Sequence, residues 1–517
     1  MLNLSNCRRV AVVGGGSAGW FAALELRKLF LDKVEIVLVE SETLGIIGAG
    51  EGSLPNFNRA LDRYQIDRAE FMRETRSTYK LGLSLEGWRT GAKDDVFLHP
   101  FAFLSQGVDL NSWIEPNGSY PLASILINQN LPLDHFPDVW RLYREGASQE
   151  QAEAYLQEQL KQYSVPPMAF HFDARKLAAY LREVAVKRGV KRINAQVNSV
   201  RLNERRHVTD LILADGEIAV DFVIDASGLR RLIIEKALNA PWRSYSEHLL
   251  LNEALPFFIP AQTANPSLVT RAIAMKNGWM WSIPTQERLG VGYVYSNQHT
   301  DREGALLEAQ KYWGMEIEPV NHFSFSPGHF EKVWIGNVMA VGLSSGFVEP
   351  LEATSIGQTL VQLARFNQLV SCSDGIIPQQ LVDEFNRDIT RHWDGIRDFL
   401  FLHYDTPRQD TAFWRAASSA PAPASYAELK RTFKLRPPRE MDLEPYRGGT
   451  FSLFGPTSWM SVAAPLGVLT REATAADLVP LSTEKRQQIG EFLIQVDRRM
   501  TAEGYTATAE QAQAPQP

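Results

Sequence analysis

Cysteine is the scarcest informative residue in this 517-residue chain: only Cys7 and Cys372 are present. Two thiols make neither a disulfide framework nor a cysteine-rich metal site, and they suit a reducing cytosol. No metal is therefore expected. Long apolar runs are missing too. No stretch reaches the ~18 consecutive apolar residues of a transmembrane helix, so no membrane span is expected. An excess of basic charge is also absent. With 53 Lys and Arg against 60 Asp and Glu the net charge is −7, which gives no electrostatic reason to bind nucleic acid or an anionic membrane. No internal repeat occurs. Arg8-Arg9 before an apolar run imitates an export signal, but a first strand and its turn already account for the same residues, so a cytoplasmic protein is expected. What remains is ordinary globular material, 44% hydrophobic and 22% charged, too long for one simple core and long enough for two or three lobes.

The chain is organised around residues 10–19, VAVVGGGSAG. An apolar strand breaks at Gly14, Gly16 and Gly19 and opens directly into a helix. Gly14 permits the tight turn, Gly16 lets backbone approach a pyrophosphate, and Gly19 lets helix and strand pack closely. The helix N-terminus, with free N–H groups and a positive dipole end, then faces the phosphates. Ala22, Leu26, Leu29 and Phe30 give this helix an apolar face, and a second strand over 34–39 ends at Glu40, placed for a ribose hydroxyl. The pattern predicts a bound adenine dinucleotide. No second strand, glycine turn and helix follows. Gly290-Val291-Gly292 sits inside a strand pattern and opens no helix, so it reads as packing, and no nicotinamide site is expected.

Downstream, residues 45–55 (GIIGAGEGSLP) form a glycine-rich connection suited to lying near a flavin ring. Helical patterning is expected from 56 to about 80, a loop around His99-Pro100-Phe101, and an insertion of mixed helical pattern to about 164. Asp173 is placed to cap a helix over 174–188. Three strands are expected between 192 and 220, then a strand in DFVIDASG (221–228) that returns to the cofactor. Residues 256–295 look like a second sheet. A short strand at 338–341 precedes a turn and a long helix to about 370, and the rest is mostly helical, with a Ser/Ala/Pro linker at 416–425.

Three stretches separate this chain from a generic flavoprotein. Trp279 and Trp281, in GWMWSIP, point to one face of a strand; such pairs commonly fill a core, but two indoles also make a wall. Lys80, in YKLG, reads alone as an ordinary surface lysine. Glu349 and Glu352, in GFVEPLEATSI (346–356), flank a turn before a helix and would favour its dipole.

Taken together, GGGSAG, GEGSLP, YKLG, HPF, WMWSIP, GFVEPLEATSI and, near 467, SWMSVAAPLG resemble the flavin-dependent halogenases of the tryptophan halogenase family. The resemblance implies an α/β architecture: a Rossmann-like FAD-binding fold of the flavin monooxygenase and halogenase type, a second sheet, and a mostly helical C-terminal substrate module. The expected divisions are 1–375 for the core (with a helical insertion around 105–165), 376–500 for the helical module, and 501–517 for a disordered tail. It implies FAD used in its reduced form, FADH2, with O2 and bromide or chloride as co-substrates. The cofactor-contacting set then reads Gly14, Gly16, Ser17, Ala18, Gly19, Glu40, Gly48, Ala49, Gly50, Asp225, Gly342 and Ile356. Lys80 matches the catalytic lysine that receives hypohalous acid through a tunnel, either as an ammonium hydrogen-bonded to it or as an amine forming a haloamine. Glu352 matches the essential carboxylate, which orients the oxidant or accepts the ring proton. The halide is expected at the backbone N–H groups of Thr354 and Ser355. Trp279 and Trp281 would keep substrate from the flavin, and His99, Phe101 and Trp459 would line the aromatic substrate site.

Two departures qualify the resemblance. Ala353-Thr354-Ser355 replaces the usual Ser-Thr-Gly after the essential glutamate; a Cβ at 355 reshapes the halide pocket, and bromide is expected to be favoured. The stretch at 446–457, YRGGTFSLFGPT, has one tyrosine and several glycines, so an open site for indole or a larger indole-bearing or phenolic compound is expected rather than one for free tryptophan. Expected partners are a separate NAD(P)H flavin reductase and a small aromatic substrate, with a homodimer left open. The competing readings are a single-component flavin monooxygenase, which needs substrate beside the flavin and its own route for hydride, and a non-catalytic flavin-binding protein, which would be expected to have lost Lys80 or Glu352.

Overall fold

Strands buried on both faces need unbroken apolar runs, and Arg9–Val13, Glu35–Glu40 and Phe222–Asp225 supply them. In the computed structural model these three form the centre of a six-stranded sheet, ordered Lys191–Asn194, Glu35–Glu40, Arg9–Val13, Phe222–Asp225, Val338–Ala340, Trp334–Ile335. The first five strands are parallel and the last is antiparallel. The structure describes residues 2–42, 50–101, 104–105, 108–109, 114–129, 147–160, 168–261, 265–446 and 453–502. Register pairs Val13 with both Val39 and Asp225, so the carboxyl ends of the central strands come level. That edge is where open parallel sheets bind ligands. The helix Ser17–Phe30 starts there and packs against the helices Ala174–Lys187 and Thr354–Cys372.

The second sheet has seven strands, ordered Phe323–Ser324, Glu253–Pro260, Arg288–Tyr295, Gly278–Pro284, Val269–Met275, Gly82–Glu86, Val96–Pro100. It is antiparallel except where Val269–Met275 runs parallel to Gly82–Glu86. A three-stranded antiparallel sheet of Glu51–Gly52, Ala169–Phe172 and Thr78–Lys80 lies beside it. Helices dominate the C-terminal part, led by the 26-residue Gln379–Tyr404. One continuous apolar core runs from Leu4 to Phe492, joining the first sheet to these helices. Among the described residues no helix is long and apolar enough to cross a membrane.

The architecture is the expected one, with local differences. The helical stretch expected to 80 is two helices, Asn56–Arg63 and Arg68–Thr75. Arg76 in the left-handed conformation stops the second, and Lys80 then lies on a strand paired with Ala169. His99 and Pro100 also lie on a strand, not in a loop; this is the edge strand of its sheet, where a missing N–H is tolerated. Four strands, not three, fill 191–219. Asp173 caps its helix as expected, accepting from the N–H groups of Arg175 and Lys176. Half of the expected linker is helix: Ala412–Ser418 and Ala424–Phe433 leave 419–423 between them. Of the expected tail, 501–517, the first two residues end the helix Thr483–Ala502; residues 503–517 and much of the 105–165 insertion lie outside the described residues.

Candidate functional site

A cavity of about 1040 Å³ opens at the carboxyl edge of the first sheet and runs beneath the second. Its volume is at the upper end of the roughly 300–1,000 Å³ common for ligand pockets. At one end lie Gly14, Gly15, Gly16, Ser17, Ala18 and Glu40; at the other lie Lys80, Trp279, Trp281, Glu352, Ser355 and Ile356.

The glycine turn is built as its spacing requires. Gly14 has φ +119° and a Cβ there would overlap the carbonyl of Ala226, while a Cβ on Gly19 would overlap the carbonyl of Gly14. Gly19 thus serves helix packing and does not line the cavity. Gly16 is different, because a Cβ there meets nothing within 4 Å among the described residues and would project into open cavity. The helix behind it has no side-chain cap at Gly16, so its first N–H groups are free for an anion. This end fits a dinucleotide: an uncapped helix start, a bare backbone at Gly16, and Glu40 held by Arg192 at 2.6 Å beside the pocket. Arg175 and Arg182 also line this end, a basic contribution that carries no motif in the sequence. Gly50 and Gly342 line the cavity, whereas Gly48 and Ala49 lie outside the described residues. Asp225 does not line it. Its carboxylate accepts from the N–H groups of Ser227, Ile233 and Ile234 and from the Ser227 hydroxyl, so it acts by fixing the turn whose residues 226–230 form the wall.

The two tryptophans share one face of Gly278–Pro284, with ring centroids 6.3 Å apart. Cross-strand pairing puts Trp281 between Ala272 and Gly292. A Cβ on Gly292 would overlap the Trp281 ring, so the glycine in the Gly290-Val291-Gly292 run is indeed a packing glycine. Both rings line the cavity.

Lys80 is fully buried. Its Nζ donates to the Ser53 carbonyl at 3.1 Å and stands 5.1 Å from the Phe101 ring centroid. Burial pushes the lysine down from its ordinary 10.5 to about 8, partly offset by the negative charge of Glu352. Glu352 is buried as well. Its Oε1 meets His99 Nδ1 at 2.8 Å and His403 Nε2 at 3.1 Å, while Oε2 has no hydrogen-bond partner among the described residues. Burial opposes its ionisation, yet the charge of His99 and the hydrogen bonds from both imidazoles overcome that and hold the carboxyl well below its usual range. Glu349, three residues earlier, is pushed the other way, up to about 8. Burial dominates there; the Tyr404 hydroxyl donates to Oε1 at 2.6 Å, and the nearby Trp279 N–H favours the charged form without reaching hydrogen-bond geometry.

The backbone turn carrying these groups is strained. Glu352 (φ 64°) and Ala353 (φ 53°) are consecutive non-glycine residues in the left-handed region, a conformation costing ~1 kcal/mol or more each. Thr354–Cys372 then starts without a side-chain cap. Ser355 lies inside this helix with no positive φ; the unusual angles fall at 352 and 353. Ser355 lines the cavity, whereas Thr354 is buried beside it with an unpartnered hydroxyl.

The three expected aromatic-site residues are not gathered in the main cavity. His99 is committed to Glu352, and Phe101 faces Lys80. Trp459 borders a separate cavity of about 20 Å³ with Tyr446, Phe454 and His392. The Tyr446 ring lies nearly parallel to Trp459, 6.0 Å away and inclined by 8°. Residues 447–452 of the stretch expected to shape the substrate site lie outside the described residues. Sequence reasoning misses His403, Ser53 and Tyr404. His403 sits in the apolar run FLFLHY, with no spacing to tie it to a glutamate 51 residues earlier.

The chain is similar to known proteins over nearly its whole length. The family model described as tryptophan halogenase matches residues 9–480. Tryptophan 6-halogenase ThaL of Streptomyces albogriseolus is 33% identical, spanning 83% of this chain and 82% of ThaL. A Sinorhizobium fredii protein described as uncharacterized protein y4xG is 36% identical over 95% of this chain and 96% of its own. Among solved structures, Xcc4156, a flavin-dependent halogenase from Xanthomonas campestris, superposes with a TM-score of 0.81 at 30% identity, covering 96% of this chain and 95% of that one.

Proposed function

This chain belongs to the tryptophan halogenase family, and from that membership we propose that it uses reduced FAD, O2 and bromide or chloride to halogenate an electron-rich aromatic ring, indole or an indole-bearing compound above all. The observation that carries the reading is that buried Lys80 and Glu352 line the same cavity as the glycine turn. When bound, reduced flavin supplies the electrons with which O2 converts halide to hypohalous acid. Ser355 and the uncapped start of its helix offer N–H groups for the halide. Trp279 and Trp281 wall the cavity, keeping the aromatic substrate apart from the cofactor.

With its value near 8, Lys80 is mainly an ammonium at pH 7. It donates a hydrogen bond to the hypohalous oxygen and makes the halogen more electrophilic. Glu352 remains a carboxylate and receives the ring proton. No second nucleotide turn is found in the sequence, so a separate flavin reductase is the expected source of FADH2.

The test supplies purified protein with FAD, a flavin reductase, NADH, oxygen, bromide and a panel of indoles, and looks by mass spectrometry for the bromine isotope pair. Lys80→Ala should abolish that product. An oxygenated rather than brominated product would replace this reading with a monooxygenase. The same assay, run with equal chloride and bromide and with indole against free tryptophan, tests the finer choices; preference for chloride or tight selectivity for free tryptophan would refute them.

A further inference from the structure

The hydrogen bonds around Glu352 fix more than its position. His403 Nδ1 lies 2.8 Å from the Phe399 carbonyl oxygen. A carbonyl can only accept, so Nδ1 carries a proton. His403 Nε2 lies 3.1 Å from Glu352 Oε1. If His403 were neutral, Nε2 would present a lone pair to a carboxylate oxygen, and two acceptors would face each other in a buried site. One additional proton must therefore lie between them. His99 does not supply it, because His99 Nδ1 reaches the same Oε1 at 2.8 Å as a separate contact.

We propose that His403 is a positioning residue that is doubly protonated in the resting enzyme, forming with Glu352 a buried imidazolium–carboxylate dyad whose free Oε2 is the base for the aromatic ring. This rests on the halogenase reading of the site. Placing the shared proton on His403 agrees with the surroundings. Oε1 is engaged by two imidazoles, while Oε2 is buried and unpartnered on a residue that lines the cavity. A proton on Glu352 would make it an acid with nothing to accept the ring proton. The charged groups facing the dyad are Lys80 and His99; Glu349 lies one turn away and is tied to Tyr404, the residue after His403. The remaining walls of His403 are the rings of Trp88, at 6.1 Å, and Phe399, at 5.1 Å. In that apolar setting the imidazolium is held by its carboxylate partner.

The carbon–halogen bond forms as the oxygen–halogen bond breaks. The departing hydroxide takes a proton from the Lys80 ammonium and leaves as water. The ring C–H electron pair returns to the ring, and its proton goes to Glu352 Oε2. The dyad then carries one positive charge, and returning that proton to Lys80 restores the resting state. Lys80 and Glu352 face one another closely enough to interact electrostatically. His403 lowers the basicity of Oε1, directs the base function to Oε2, and keeps Glu352 ionised.

The direct test is histidine nitrogen NMR on the FAD-loaded protein at pH 7, with His403 assigned by its loss in His403→Gln. Protons on both ring nitrogens support the dyad; a bare Nε2 overturns it. This readout needs no substrate, so failure of the dyad and failure of the halogenase reading are separable. The kinetic test compares His403→Gln with the parent, using substrate deuterated at the reacting ring carbon. The amide of that variant can still donate to Oε1 but cannot hold the charge. The expected result is at least a ~10-fold fall in kcat with KM and hypohalous acid production unchanged, and a deuterium isotope effect that the parent lacks. An equal loss of hypohalous acid production, or a slow variant with no isotope effect, would show a merely structural role and overturn the proposal.

Discussion

Removing the charge of Lys80 should stabilise the folded protein while abolishing catalysis. The lysine is fully buried, and its value falls from 10.5 to about 8 because burial penalises the ammonium more than Glu352 supports it. At 1.36 kcal/mol per tenfold, that depression is a bias of ~3 kcal/mol against the charged lysine in the folded state. The folded value lies below the unfolded one. The penalty is therefore complete below about pH 8 and fades as pH rises from about 8 to 10.5. Lys80→Met keeps an unbranched apolar stem in place without the charge. It forfeits the hydrogen bond to the Ser53 carbonyl, a loss of ~1–2 kcal/mol. The expected net is a gain of ~1–2 kcal/mol at pH 7 that vanishes or reverses near pH 10. Denaturant midpoints for parent and variant, without flavin and at both pH values, measure it. A variant no more stable at pH 7, or a difference independent of pH, would refute the reasoning that burial of the ammonium is a stored cost.

The same ionisation sets the basic limb of activity: halogenation should fall as pH passes about 8, and a profile rising through that range would favour a neutral amine and a haloamine. Gly16→Val should fold normally, since nothing lies within 4 Å of a Cβ there, yet lose flavin affinity in a fluorescence titration; Gly14→Ala should instead lower the melting temperature. Gly292→Ala should displace the Trp281 ring it would overlap, read as lower thermal stability and altered tryptophan fluorescence; unchanged values for both would remove the packing argument. Glu349→Gln should retain activity within a few-fold, because a neutral carboxyl is replaced by a neutral amide, whereas Glu352→Gln should lose it by ~100-fold or more.

The cofactor end is legible in the sequence because its constraints are local. A strand, a glycine turn and a helix are consecutive in the chain, and each glycine's role follows from what a Cβ would touch. The Trp279–Trp281 pair is legible for the same reason, since strand alternation puts both on one face. The reactive end is assembled from distant parts: Lys80, His99, Glu352 and His403 lie on three strands or turns and one helix. No periodicity relates them, and only resemblance draws attention to Lys80 and Glu352. His403 has neither motif nor spacing. The apolar pattern over 56–75 continues into TYK, which wrongly extends the helix to Lys80; a single left-handed residue, Arg76, is what turns the chain into a strand.

Burial alone does not decide which carboxyl is ionised. Glu349 and Glu352 are three residues apart, on either side of one turn, and both are almost completely enclosed. Burial by itself would leave both protonated near neutral pH, and Glu349 follows that rule, with a value of about 8. Glu352 escapes it through two imidazoles on its Oε1. The left-handed angles at Glu352 and Ala353 begin on the same residue whose carboxylate meets those imidazoles. The pair then divides the work: a neutral carboxyl hydrogen-bonded to Tyr404 secures the turn, and an ionised one with a free oxygen faces the cavity. Environments that drive two neighbouring carboxyls apart are what acid and base chemistry requires at one pH, and here the separation is made by His99 and His403 rather than by exposure to water.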